Sequence, residues 1–231
     1  MPRDTASDVD PIRYSAAPMN PPTTLRVILI ASCVLASACD SPGPKRIDDT
    51  TSSMRDTKTS VDRGNEQVTT VMTAATAVET AQDRKRAFEQ FSKACDRLEG
   101  DAKDVQSSWD KLKTRTADYV KAWEADAAKL SSADSKQVAS ARREAFTARV
   151  ATIQADLDAA KASYTDLKAK LSDIRIMLAN DLTAEGVASV KPAIEAAQKV
   201  AVQLKENVAK LSQALDAEIT RSSTAAPPAA K

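Results

Sequence analysis

Apolar residues recur along the middle of this chain with a helical beat. From Phe146 to Leu178, the positions Phe146, Val150, Ile153, Leu157, Ala160, Tyr164, Leu167, Leu171, Ile174 and Leu178 follow at alternating steps of four and three. A mean step near ~3.5 keeps one seam facing a partner helix over many turns. Val105, Trp109, Leu112, Thr116, Tyr119 and Trp123 form a second seam, closed by Leu130. Ile194, Ala197, Ala201, Leu204, Val208, Leu211 and Leu215 form a third. A smaller-sided fourth runs through Val68, Val71, Ala75 and Val78, then Phe88, Phe91, Cys95 and Leu98. The pattern predicts an all-α fold: an elongated antiparallel bundle of three to four long helices over residues 58–221.

Cap chemistry suggests where the helices break. Gly100 is expected to end one helix, and Asp101 to cap the next. Ser131 to Asp134 interrupts the pattern, with Asp134 and Gln137 spaced as a capping box. Asn180, Asp181 and Thr183 separate the last two helices, and Pro192 fits a first turn if Ser189 is the N-cap. The helix ending at Asn180 should hold about 45 residues and run near ~65 Å.

The N-terminal region follows another logic. Arg26 precedes an apolar run from Val27 to Ala36, and small residues then lead to Cys39. Such a run matches a signal-peptide core and is too short to span a bilayer. A basic flank, an apolar run and small residues ending at Cys is the form of a bacterial lipoprotein signal. Cys39 is the preferred acylation site over Cys33, which would leave only about four apolar residues after Arg26. Leu35 lies one position further from Cys39 than the usual lipobox places it. Residues 19–38 are thus read as the signal, 1–18 as a disordered upstream segment behind an over-early start, and 39–57 as a flexible Pro-rich tether. The tail, 222–231, carries no periodicity and is read as disordered. The expected location is the cell envelope, lipid-anchored and facing the periplasm, on either membrane.

Composition narrows the chemistry. The 231 residues carry 33 Lys+Arg against 32 Asp+Glu, a net charge of +1, and contain no His. Without His, the Ser-His-Asp and Cys-His designs and His-containing zinc sites are excluded. Balanced charge argues against nucleic-acid binding. Glycine-rich phosphate loops, nucleophile elbows and Cys-x-x-Cys pairs are missing from the sequence, so neither an enzyme nor a cofactor or metal site is expected. The carboxylates Asp156/Asp158 and Glu124/Asp126 are two apart and do not face each other on a helix. Glu99, Asp101 and Asp104 read as capping and solvated groups near a turn. Cys95, on a seam, reads as a small buried hydrophobe, with an intermolecular disulfide or a redox thiol as the alternative. Trp109, Tyr119 and Trp123 share one stripe that could fill the core or serve as an anchor for a partner or an apolar ligand.

The order of landmarks resembles a known family. Val61-Asp62-Arg63, Ala81-Gln82 and Phe88-Glu89-Gln90-Phe91 precede Trp123-Glu124; a long helix then ends in Leu178-Ala179-Asn180-Asp181-Leu182-Thr183-Ala184, followed by Val187 and Ser189. Over Lys58 to Ile219 this is similar to a bacterial domain-of-unknown-function family of exported, lipoprotein-like helical chains, about 200 residues long. The resemblance implies an exported helical protein, and carries no activity or site to transfer. The function expected is a lipid-anchored extracytoplasmic scaffold or adaptor, contacting the membrane through its anchor and a protein partner or second copy through its seams. The alternative is a carrier of a lipid or other apolar ligand held between helices.

Overall fold

A computed structural model describes residues 42–224. Four helices occupy nearly all of them: α1 (Pro42–Thr80), α2 (Arg84–Ala128), α3 (Ala133–Asn180) and α4 (Ala184–Thr224). The described residues contain no strand. The fold is the all-α bundle that the seams predict. α3 has 48 residues, so at about 1.5 Å per residue it runs roughly 70 Å. Helices this long are held by their neighbours rather than by intrinsic propensity.

The helices pack in a ring, α1 beside α2, α2 beside α3, α3 beside α4 and α4 beside α1, with no close backbone approach across either diagonal. Ion pairs fix the direction of each neighbour. Arg46, near the start of α1, reaches Asp126 near the end of α2 at 3.3 Å. Arg143 of α3 meets Glu124 of α2 at 2.9 Å, while Arg175 meets Asp96 at 2.8 Å. Arg149 of α3 pairs with Glu218 of α4 at 2.6 Å, and Lys58 of α1 with Asp216 of α4 at 3.5 Å. Each pairing joins an early residue of one helix to a late residue of the next, so all neighbours are antiparallel. The α2–α3 side is the thinnest of the four.

Several expected boundaries move. The 39–57 segment, read as a tether, is helical from Pro42 onward. Proline is tolerated in a first turn, where its missing N–H has no partner to lose, so Pro42 and Pro44 open the helix instead of preventing it. The inward face of this stretch is polar: Thr50, Thr51 and Thr57 are buried. Their hydroxyls donate to the carbonyls of Arg46, Ile47 and Ser53, four residues back. The bundle also runs past 221, with Ser222 buried and α4 ending at Thr224. The proposed signal, Cys33 and Cys39 lie outside the described residues, as does the end of the tail.

Gly100 does not end a helix. α2 runs through it without interruption, and the break falls at residues 81–83, where the Asp83 carboxylate accepts from Arg86 N at 3.0 Å as the N-cap. The fourth seam is therefore two: Val68 to Val78 on α1, and Phe88 to Leu98 at the start of α2. The 131–134 break is real, but Ser132 caps α3 through Ser135 N, not Asp134. α4 starts earlier than expected. Thr183 Oγ1 accepts from Gly186 N at 3.1 Å, and Pro192 sits inside the helix rather than in a first turn capped by Ser189. Leu130 lies beyond the end of α2 and is exposed, so it closes no seam.

Candidate functional site

The interior falls into two apolar clusters stacked along the bundle. One joins Val68 to Val78, Ala87 to Leu98, Ala160 to Leu178 and Val187 to Leu204. The other joins Met54, Val61, Trp109, Leu112, Phe146, Ile153, Leu157, Leu211 and Leu215. Between them lies a cavity of about 240 Å³, lined from all four helices. Its cause is local. At this level, positions that elsewhere hold Val or Leu carry Gly64, Ala102 and Ala160. A Cβ on Gly64 would have only Val105 near it, at 3.9 Å. Small seam residues can draw helices together; here they leave a space, because the larger layers on both sides hold the helices apart.

The walls are chiefly aliphatic, with Val61, Val68, Leu98, Leu157, Leu204 and Leu211 among them. Asn65 also lines the space, and its Oδ1 is buried without a hydrogen-bond partner. An amide oxygen without a partner is costly away from water; Gln106, Lys161, Tyr164 and Thr165 are the other polar side chains around the space. On the thin α2–α3 side, Lys161 Nζ donates to Gln106 Oε1 at 2.8 Å, and Gln106 Nε2 donates to Asp110 Oδ1 at 2.9 Å. Lys161 is exposed and Gln106 half-buried, so this chain forms the rim. Burial, reinforced by the Glu99 carboxylate, raises the Tyr164 pKa and favours the neutral phenol.

The aromatic stripe lies elsewhere. Trp109 is 4% exposed within the second cluster. Tyr119 stacks edge-on to Phe146 at 5.3 Å and tilted to Trp123 at 5.6 Å, with Trp123 to Phe146 at 6.5 Å. The Arg149 guanidinium lies 5.9 Å from the Phe146 ring centroid. Ring pairs of this kind contribute about 0.5–1.5 kcal/mol beyond area burial. None of the three stripe residues lines the cavity. Phe146 completes their group from α3, so the stripe packs α2 against α3.

Cys95 is buried and free. Desolvation pushes its thiol pKa up to about 12; Arg175 opposes this, while Asp96 and Glu99 add to it. The thiol form is therefore favoured, as for a packing residue. Glu99, Asp101 and Asp104 lie mid-helix rather than at a turn. Glu99 pairs with Lys168 at 3.3 Å, and Arg63 bridges Asp101 and Asp104 at 2.9 and 2.6 Å. Among the described residues, no group of three His, Cys, Asp or Glu side chains is placed to hold a metal ion. No helix among them is long and apolar enough to cross a membrane.

A family model described as protein of unknown function (DUF2959) matches residues 38–225. The chain belongs to this family. The match takes in all four helices and begins one residue before Cys39. Neither the curated proteins nor the solved structures include a match to the chain. The DUF2959 description brings no activity with it, so function rests on the residues themselves.

Proposed function

We propose that this DUF2959 chain is a lipid-anchored helical scaffold or adaptor of the bacterial envelope, acylated at Cys39 and facing the periplasm. The observation that supports this reading best is the position of α1. It starts at Pro42, three residues after Cys39, and continues unbroken to Thr80. An acyl anchor there would be joined almost directly to a stiff bundle. Stable attachment needs more than one acyl chain, which lipoprotein processing supplies. The bundle's outer faces carry interleaved charges of both signs, suited to water and to protein contact. Scaffolding needs no catalytic group, and we assign none.

Metabolic labelling with a fatty-acid analogue in a bacterial host tests the anchor. Cys39→Ala should abolish the label and Cys33→Ala should leave it. An unlabelled, unprocessed chain in the cytosol overturns the reading.

The carrier alternative is favoured by one observation, the space between the two core clusters. On that reading the ligand contacts are the cavity walls, and Trp109, Tyr119 and Trp123 have no part in it.

A further inference from the structure

A ladder of cations runs along the α2–α3 side, and it changes at the cavity. Lys161, Lys168 and Arg175 recur every seven residues on α3, which puts them on one stripe. Arg175 meets Asp96 of α2 at 2.8 Å, and Lys168 meets Glu99 at 3.3 Å. Lys161 pairs with no carboxylate among the described residues; its Nζ donates to the Gln106 amide oxygen at 2.8 Å. An ammonium has three donors, and Gln106 takes one. Lys161 also marks the opening: of the residues lining the cavity, Lys161 and Thr165 are the exposed ones. Thr165 gives its hydroxyl proton to the Lys161 carbonyl at 2.9 Å, which leaves the ammonium as the charged donor at the mouth. The rung without an acid thus stands over an apolar space. An engineered apolar cavity of about 150 Å³ takes one benzene, so 240 Å³ holds roughly nine or ten carbons, one short chain.

We propose that the mid-bundle cavity binds one single-chain carboxylate of about ten carbons, its tail between the two core clusters and its head on Lys161 at the α2–α3 mouth. The head stays in water, so no charge is buried. The aliphatic walls take the tail, and the ammonium supplies the charge that Gln106 does not compensate. This rests on the carrier reading and is independent of the anchor.

Calorimetric titration of the full chain tests it, with Cys39→Ala throughout to keep the preparation free of covalent acyl chains. The probes are decanoate, decylammonium and 1-decanol, each kept below its micelle or solubility limit. The expected result is one saturable site, with decanoate bound about fivefold or more tighter than decylammonium. Lys161→Glu should reverse that order and move 1-decanol by less than about twofold. Gln106→Glu gives Lys161 the missing carboxylate and should weaken decanoate about threefold or more. Ala102→Leu and Ala160→Leu fill the space from two helices and should each weaken all three probes about tenfold or more. Decylammonium binding as tightly as decanoate, or an order that Lys161→Glu does not move, overturns the role of Lys161 and leaves the carrier reading intact. Saturable binding that ignores both filled variants places the ligand outside the cavity and overturns the proposal. Failure of all three probes to bind the parent chain overturns the carrier reading as well.

Discussion

Arg149 and Glu218 face each other across α3 and α4. Nε donates to Oε2 at 2.6 Å and Nη2 to Oε1 at 3.1 Å, so both carboxylate oxygens are engaged. The Glu218 side chain is 2% exposed, that of Arg149 36%. Glu218 raises the Arg149 pKa, chiefly through the hydrogen bond, against a smaller loss from desolvation. Removing one partner from a buried pair costs about 3–5 kcal/mol, because the other charge is left uncompensated. Here the half-open guanidinium and the nearby Arg221, 3.4 Å from Oε2, reduce that penalty. Arg149→Met is expected to destabilise by about 2 kcal/mol. Glu218→Gln, which keeps one acceptor, should lose about 1 kcal/mol. Urea unfolding at neutral pH checks the order; equal and negligible losses would mean that the pair behaves as a surface contact.

Two glycines should respond unequally to the same substitution. Gly100 lies in the interior of α2, is exposed, and a Cβ there would meet nothing within 4 Å. Gly100→Ala should stabilise by about 0.5–1 kcal/mol, through helix propensity alone. For a domain of this size that raises Tm by roughly 2–4 °C per kcal/mol. A Cβ on Gly186 would instead fall within the Asp181 carboxylate, which accepts from Thr183 N at 2.8 Å. Gly186→Ala makes the exposed Asp181 side chain swing away and give up that hydrogen bond, which offsets the gain in helix propensity. Its melting point should therefore lie below that of Gly100→Ala.

These glycines mark the boundary between what is legible in the sequence and what is not. Large side chains at alternating steps of four and three, as from Phe146 to Leu178, seldom recur for so long unless one helix face is packed, and most of that seam is buried. A single glycine is ambiguous, because helix interiors admit Gly at modest cost when neighbouring helices hold them. Gly100 therefore reads as a stop, while the true break at Ala81-Gln82-Asp83 carries only one clear signal, Asp83. The start of α1 is hidden because its inward positions are Thr50, Thr51 and Thr57, whose hydroxyls are satisfied within the helix. The cavity needs four helices in register before it exists. Ala160 between Leu157 and Tyr164 is its one visible trace in the sequence, and Asn65 leaves none.

Pro192 is an interior break that the bundle tolerates. It lies within α4 on an exposed face, so the Ala188 carbonyl lacks the amide donor four residues later. Pro192→Ala supplies that donor. Because the surrounding helix is already held by α1 and α3, the expected gain is about 1–2 kcal/mol, below the full helix-interior penalty. A thermal melt of the variant reads the gain directly. A lower Tm would show that the proline sets a bend on which the packing of Val190 and Ile194 depends.

Cys95 should make stability fall in alkali. Its thiol pKa is pushed from 9.0 to about 12 by burial in the folded chain. On unfolding the thiol regains its ordinary value, so above about pH 9 the unfolded state loses a proton that the folded state keeps. The stabilisation is complete below pH 9 and is lost progressively as pH rises toward 12. Tyr119 and Tyr164, also raised by burial, act in the same direction. The comparison must therefore be with Cys95→Ala, which keeps both tyrosines. The urea midpoint of the parent should decline more steeply than that of the variant between pH 8 and pH 10.5, as a cysteine-specific difference in slope. Iodoacetamide at pH 8, read at Cys95 by peptide mapping because the sequence also contains Cys33 and Cys39, should modify that thiol only as fast as the folded chain opens. Parallel slopes together with rapid labelling of Cys95 would mean that the thiol is already within reach of solvent, and that the seam between Phe91 and Leu98 is looser than its burial indicates.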